Sequence, residues 1–451
     1  METVKGLFDI ELGYDMTTKE PIFLTEQARL MHEMIIGHPG SFNQIKQDLK
    51  GISRGGKAGL IVLDIKDEML KDIMKECEVL GLQNISYLDL TQPNPHLNIN
   101  PFKGPARGVA ANFKEMVSNE MGNQDEYFKG IQDEFVFHCI MLGKTRFGNA
   151  FDLHILLRLM TEVRYLAVVV DEVRRYADEF SEELSFFEDA DVSNIVEYFN
   201  NEVLQYQWND SSDNPFERLP VSYPKGHKYE GMQVVQNRKE NYIIGIRTCI
   251  SDILSNPIIA SSLMPAEGAL DLDLFLAALF KEGGVLLVDT GESKVSRFMG
   301  QLISQKIQSA VFERSPFMAK IPIYLYVNAM RTYMNYGLIR LLLQGRSYKV
   351  GVICSIKELR EIENDSDDSL LLKNIKNVVY RGINPNDANR LFRRKPHLNP
   401  EGVKQSVIAP EEFARLDFGH FYVESVNESL DEVKIRLAYF KSDQNTPSHN
   451  W

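Results

Sequence analysis

The sequence predicts an α/β protein: a mostly parallel sheet flanked by helices, interrupted along the chain by an all-helical domain. Strand-length apolar runs alternate with amphipathic helical patterns at the start of the chain and again towards its end, which is the rhythm of a parallel sheet. Two of these runs, GLIVLD (59–64) and GVLLVD (284–289), are continuous and each ends on an aspartate. Between the two α/β stretches, over about 106–280, helical periodicity dominates.

Taken in order, FDIELGYDMTTKEPIFLT carries two short alternating runs around a turn, a β-hairpin. A strand follows at 31–36, then a glycine-bearing loop and a polar helix near 43–51. After the strand ending at Asp64 comes a helix from near Asp67 to Leu80, and a short strand near Ile85–Leu88. The segments ANFKEMVSNEM, EYFKGIQDEFVFHCIML, DLHILLRLMTEV and the acidic VDEVRRYADEFSEEL read as helices; a Pro/Gly-bearing stretch at 214–232 interrupts them, and helix resumes over 233–263. The α/β rhythm returns with a strand to Asp289, helix VSRFMGQLISQKIQSAVFER, strand IPIYLYV, a helix at about 332–344, strand YKVGVICSI, strand NVVYRG and a helix in NPNDANRLF with Asn384 or Asn386 at its N-cap. Further short strands are expected in SVIAPEEFARLDFGHFYVESV. The expected domains are 1–105 and 281–440 for the two parts of the sheet domain, 106–280 for the helical one, and 441–451 as a polar tail.

At 44% hydrophobic and 25% charged residues the composition is that of a soluble globular protein, and no apolar run is long enough to span a bilayer. The first residues lack a basic segment followed by an apolar core, so no signal peptide is expected and the chain reads as cytoplasmic. Cys77, Cys139, Cys249 and Cys354 have no C-x-x-C spacing and read as buried free thiols; with unclustered histidines, no metal site is expected. A net charge of −13 speaks against a large nucleic-acid surface. The Arg393-Arg394-Lys395 run is either a phosphate contact or a solvated cluster, and the acidic stretch 171–190 either recruits a basic partner or is an exposed helix face.

Residues 31–44, MHEMIIGHPGSFNQ, have the layout of a Walker A loop, G-x-x-x-x-G-K-[ST]. Gly37 opens the frame, His38 and Pro39 follow, and Gly40-Ser41 stand where such loops carry a second small pair. Phe42, Asn43 and Gln44 occupy the closing positions, so the phosphate-binding lysine is Asn43 and the Mg²⁺-binding hydroxyl is Gln44. Taken alone, GHPGSFN is also an ordinary glycine-proline turn between strand and helix.

The order of parts resembles the conjugative coupling ATPases of type IV secretion systems (TraG/TraD type), within the HerA/FtsK group of P-loop motors. Asp64-Ile65-Lys66-Asp67-Glu68 matches the family's D-x-K-G-[DE] strand end, Asn100-Pro101-Phe102 its N-P-[FL] turn, and Val288-Asp289 its V-D strand end. The Walker B strand, which ends D-E in the family, here ends Val327-Asn328-Ala329. The stretch from Gly345-Arg346 to Gly351 matches a later basic motif, Lys357 takes the place of a sensor glutamine, and Asn374–Val379 resembles the last strand. The resemblance covers most of the chain and rests on order and spacing. It implies a P-loop NTPase-like (RecA-like) sheet domain, a ring of subunits with nucleotide between neighbours, and relaxase or protein substrates met by the helical domain.

Phosphoryl transfer needs positioned phosphates, a held Mg²⁺, an oriented water and offset charge. Asn43 is neutral, Gln44 and Asn328 offer only neutral oxygens to a hard dication, and Ala329 stands where a glutamate would orient water. Lys46, Lys50 or Lys66 are the lysines that compensation would need. Asp64 with Lys66 either lines a nucleotide pocket or caps the next helix, and Arg346 is either a trans-acting finger for a neighbouring active subunit or a surface charge. No catalytic constellation is recognisable. The expectation is a catalytically inactive relative that serves as scaffold, adaptor or regulatory subunit, with no cofactor. Its partners are then proteins of a secretion or conjugation complex, an active ATPase subunit or a relaxase among them, which recruit it to the inner face of the membrane. The alternatives are a divergent DNA-translocating ATPase using ATP and Mg²⁺ through relocated ligands, and a nucleotide-independent DNA-binding module.

Overall fold

The computed structural model describes residues 6–37, 41–122, 125–180, 186–210, 218–263, 268–315, 320–359, 374–382, 386–387, 416, 419–426 and 433–440. The chain divides into two units, Met1–Gln92 with Asp271–Trp451, and Pro93–Leu270.

The first unit is built on an 11-stranded sheet. Its strands in chain order are β1 (Ile10–Asp15), β2 (Pro21–Leu24), β3 (Glu33–Gly37), β4 (Gly59–Asp64), β5 (Ile85–Asp89), β6 (Gly284–Asp289), β7 (Ile323–Val327), β8 (Val350–Ile356), β9 (Asn377–Arg381), β10 (His420–Val426) and β11 (Val433–Tyr439). Across the sheet they run β2-β1-β11-β10-β9-β3-β8-β7-β4-β6-β5. The seven from β9 to β5 are parallel; β10, β11, β1 and β2 add an antiparallel flank. β4, β6, β7 and β8 are buried along their whole length, which is why their sequences are continuous apolar runs and not alternations.

Helices Phe42–Ser53 and Asp67–Val79 cover one face of this sheet. Their residues Ile45, Leu49, Leu70, Ile73 and Cys77 pack with Leu60, Val62, Val285, Leu287, Tyr324 and Tyr326 in one buried cluster. Each such side chain contributes about 1.5–3 kcal/mol through removal from water. Helices Leu272–Glu282, Lys294–Phe312, Met330–Tyr333 and Tyr336–Gln344 lie outside that cluster and form a second layer around Lys294–Phe312. The helix expected at 332–344 is broken in two because Asn335 caps the second piece, its Oδ1 accepting from Leu338 N at 2.9 Å. Strands β10 and β11 replace the short strands expected near the C-terminus; most of the helix expected in 384–392, the Arg393-Arg394-Lys395 run and the 441–451 tail lie outside the described residues.

The second unit runs over 93–270, not 106–280, and it is not all-helical. At its start, Phe102 is fully buried with ring centroids 4.8 Å from Phe113 and 4.7 Å from Phe151, so the Asn100-Pro101-Phe102 turn belongs to this core. At the other end, Asp271 caps helix Leu272–Glu282 through Oδ1, and that helix packs on β4 and on Lys294–Phe312, within the sheet unit. Two small antiparallel ribbons interrupt the helices, Leu204–Tyr206 with Val235–Asn237 and Trp208–Asp210 with Arg218–Pro220. Strands of three residues are too short for a period-two pattern to stand out, so this region reads from sequence only as a turn-rich break.

Met116, Phe135, Met160 and Phe199 of these helices are core, whereas Phe128 is exposed. In the acidic stretch, Asp171 pairs with Arg174 at 2.9 Å and Glu172 with Arg146 at 2.6 Å, so these two carboxylates are already partnered. All four cysteines are free; Cys77, Cys139 and Cys354 are buried, and Cys249 is only half-buried. Among the described residues no single helix is long and apolar enough to cross a membrane. The bent pair Glu240–Ser255 and Pro257–Leu263 passes that test by composition, but its Ile243, Ile246, Ile250, Ile253 and Ile259 are buried inside the unit.

Candidate functional site

In open α/β sheets ligands bind outside the carboxyl ends of the parallel strands. Strand register brings a row of polar residues to that edge here. Asp89 pairs with Asp289 and Asp289 with Asp64, while Val327 pairs with Leu63 and Cys354. Asn328 therefore stands level with Asp64 on one side and Ser355 on the other.

Asn328 is the centre of this row, and its amide is fully used. Its Oδ1 accepts from Ser41 Oγ at 3.1 Å and from Ser355 Oγ at 3.0 Å. Its Nδ2 donates to Asp64 Oδ2 at 3.2 Å and to Met69 Sδ at 3.8 Å, and its backbone N–H donates to Leu63 O at 2.9 Å. The position after it, Ala329, is left-handed at φ 54, ψ 56, a conformation that costs an L-residue ~1–2 kcal/mol. Asp64 does not cap a helix. Its Oδ1 accepts from Ile65 N at 2.7 Å and Lys66 N at 3.2 Å, while Lys66 itself occupies the N-cap of Asp67–Val79 without a side-chain cap. Burial pushes the Asp64 carboxyl up to about 6, against these hydrogen bonds. Burial also raises Asp289, helped by Asp89 and Asp67, while Gly291 N donates to its Oδ1 and Tyr87 to its Oδ2. Thr290 completes the edge, its N–H donating to Asp64 O at 3.1 Å and its hydroxyl lying 2.8 Å from Tyr333 Oη.

The loop residues divide into three groups. Ser41 is buried in the Asn328 network, and His38, Pro39 and Gly40 lie outside the described residues. Asn43 is exposed, Phe42 packs partly into the core, and the Lys46 ammonium sits 5.0 Å from the Phe42 ring centroid. Gln44 is 2% exposed, its Nε2 donating to Glu33 Oε1 on β3 at 2.8 Å. Gly37 has φ +103, and a Cβ there would lie 1.7 Å from Arg381 O on the paired strand β9. Backbone approach between strands thus accounts for this glycine without a phosphate.

The remaining sequence-predicted positions are scattered. Lys66 is exposed and lies 3.7 Å from the exposed Glu292. Lys357 is exposed just beyond β8, at the carboxyl edge. Arg346 is exposed in the turn Gly345–Tyr348 that precedes β8, at the opposite edge of the sheet from Ser355. There it lies near His32, whose imidazole burial lowers to about 4 and whose Nδ1 accepts from Val352 N at 3.1 Å. Among the described residues, no group of three or more His, Cys, Asp and Glu converges to hold a metal ion.

Sequence reasoning missed a buried clamp behind the loop helix. The Arg29 guanidinium reaches Asp48 Oδ1 at 2.6 Å and Oδ2 at 2.7 Å, donates to Phe8 O at 2.9 Å, and stacks 3.5 Å from the Tyr324 ring centroid. Tyr326 Oη donates to Asp48 Oδ2 at 2.7 Å. The signal was present: Gln44 and Asp48 sit four apart beside Ile45 and Leu49, polar residues on the buried face of a helix. The clamp ties helix Phe42–Ser53 to β7, the strand that leads into Asn328.

No protein-family profile matches the chain, and no curated protein matches it. Solved structures do. Against the bacterial conjugative coupling protein TrwB in its trigonal form with sulphate, the TM-score is 0.56 at 13% identity, covering 95% of this chain and 88% of that one. Against TrwB with ADP and Mg²⁺ the values are 0.53, 14%, 96% and 89%. Against VirB4 of Thermoanaerobacter pseudethanolicus they are 0.52, 10%, 98% and 98%. At these identities the likeness is one of fold, and it spans nearly the whole of each chain: this protein has the P-loop NTPase-like fold of TrwB and VirB4, a mostly parallel sheet flanked by helices with a largely helical unit set into the chain.

Proposed function

We propose that this chain is a catalytically inactive member of a conjugation or type IV secretion machine, working as scaffold, adaptor or regulatory subunit. The machine class is supported by the fold shared with the plasmid coupling protein TrwB and with VirB4. The inactivity is supported by one observation above all: the residues at the metal-binding positions are buried and turned into the protein itself. Asn328 has no lone pair or N–H left for a ligand, and Gln44 is turned into the core towards Glu33. TrwB is described with ADP and Mg²⁺, whereas the loop here offers an exposed neutral Asn43 where a cation would meet phosphate. The aspartates at the neighbouring strand ends add negative charge on the side from which a nucleotide would enter. In this reading the protein acts in the cytoplasm among protein partners, an active ATPase subunit or relaxase among them, in a ring that recruits it to the inner membrane face. DNA contributes little, given the net charge of −13.

The test is calorimetric titration with ATP and ADP, with and without Mg²⁺. The reading expects no saturable heat up to millimolar nucleotide. Saturable, Mg²⁺-dependent binding would instead support a divergent ATPase with relocated ligands, and DNA-stimulated turnover would establish it.

A further inference from the structure

Between β7 and β8 the chain leaves the sheet for the segment 330–348, made of helices Met330–Tyr333 and Tyr336–Gln344 and the turn Gly345–Tyr348. Among the described residues four non-glycine residues have positive φ, and two of them, Ala329 and Lys349, stand at the two ends of this segment. Ala329 is at φ 54, ψ 56 and Lys349 at φ 54, ψ 44, both left-handed. A residue with a Cβ holds that conformation only where its surroundings impose it, and such residues gather at switch regions.

The segment rests on helix Lys294–Phe312. The two approach closely: a Cβ on Gly300 would lie 2.9 Å from Tyr333 Cδ1, and one on Gly337 would lie 3.4 Å from Gln305 Cα and Gln308 Cβ. Gln301, Ser304, Gln305 and Gln308 share that face of the helix, at i, i+3, i+4 and i+7, and all are buried. Gln301 Nε2 donates to Met334 O at 3.3 Å, and Asn335 Nδ2 donates to Gln301 O at 2.7 Å. Those bonds leave part of the face unused. Gln301 Oε1, Ser304 Oγ and Gln305 Oε1 are buried with no hydrogen-bond partner among the described residues. An unpaired buried polar group carries a free-energy cost that exposure to water removes. Leu338, Leu341 and Leu342 hold the segment down by apolar burial, so one contact contains both an adhesive part and a part that opposes it.

We infer that segment 330–348 is a flap that opens from helix Lys294–Phe312 as a unit, turning about Ala329 and Lys349, while the sheet stays folded. Opening relieves both costs together. Ala329 and Lys349 leave the left-handed region, and the three orphaned groups meet water or the backbone of a protein partner. The closed flap is also tied at its two ends, by Tyr333 Oη to Thr290 Oγ1 at 2.8 Å and by Arg314 Nη1 donating to Tyr348 O at 2.8 Å. Ala329 adjoins Asn328, so movement of the flap reaches the row of strand ends through a single peptide unit. The flap goes beyond the functional reading above and operates whether or not nucleotide binds.

The test is native-state hydrogen exchange of the full chain, read on peptides by mass spectrometry in water and in low urea. The flap predicts that amides of 338–348 exchange roughly 100-fold faster than those of β7 and β8, with little dependence on urea. Equal rates in the two regions overturn it. Gln305→Leu replaces an unpaired amide by an apolar side chain of similar size and should slow exchange in 338–348 about tenfold. Unchanged or faster exchange, as loss of a water bridging the three groups would give, overturns the inference. Ala329→Gly removes the left-handed cost of the closed form and should slow 338–348 about fivefold. If Ala329→Gly slows β7 and β8 alone, Ala329 does not turn in the opening and the flap is refuted.

Discussion

An aspartate in place of Asn328 should harm this protein. In Asn328→Asp, the Nδ2 donor to Asp64 becomes a second carboxylate oxygen in a site where both residues are under a tenth exposed. Two ionised carboxylates 3.2 Å apart repel by about 5 kcal/mol at an effective dielectric of ~20. The pair avoids that by binding one proton, which then bridges the two groups. Asp64 titrates at about 6, so at pH 7.5 holding its proton costs about 1.5 pH units, or ~2 kcal/mol. The Ser41 and Ser355 hydroxyls still donate to the new side chain, so little else is lost. The expected result is a loss of ~2 kcal/mol at pH 7.5, shrinking towards zero by pH 5.5, where Asp64 is protonated in the wild type as well. Urea unfolding followed by far-ultraviolet circular dichroism at the two pH values measures it, with exchange of β4 and β7 amides as a local check. A loss equal at both pH values, or none at pH 7.5, would refute the argument. Rescue of the variant by Mg²⁺ alone would show that the edge still forms a cation site, contrary to the functional reading.

Other substitutions read the same architecture. Asp48→Asn leaves the Arg29 cation buried without its counter-charge and should cost about 3–5 kcal/mol, seen as a lower urea midpoint with nucleotide absent. Gly37→Ala drives a Cβ into Arg381 O and should cost ~4 kcal/mol or prevent folding, whereas a glycine needed only for phosphate would leave the free protein's midpoint unchanged. His32 is depressed to about 4, so its contribution is complete above pH 6.5 and is lost as pH falls towards 4, by ~3 kcal/mol in all. His32→Asn, which tolerates the φ of 61 at that position, should therefore flatten the acid limb of the stability profile; an unchanged limb would sink that assignment.

The sheet was legible because its strands are buried on both faces and announce themselves as apolar runs such as 59–63 and 284–288. The row of strand ends was legible too, since Asp64, Asp289 and Asn328 close three such runs. Side-chain partners were not. Nothing local says that Asn328 meets Ser41 and Ser355, because those contacts depend on which strands are neighbours, and strand order is set by tertiary packing. Arg29 and Asp48 lie 19 residues apart in different helices, and their pairing is visible only when both are found without water. Lys66 and Arg346 are positions that motif order alone left open between a site and the surface; one lies exposed beside Glu292 and the other exposed at the far edge of β8.

The Arg29–Asp48–Tyr326 clamp has a mechanical consequence. An engine that converts nucleotide chemistry into movement needs a compliant joint between the element that senses the phosphate and the strand that carries the metal ligand. Here a cation held by two oxygens, a phenol and an aromatic face joins helix Phe42–Ser53 to β7, so that displacing one strains the other. Under the function proposed above, such a joint suits a strut better than a piston.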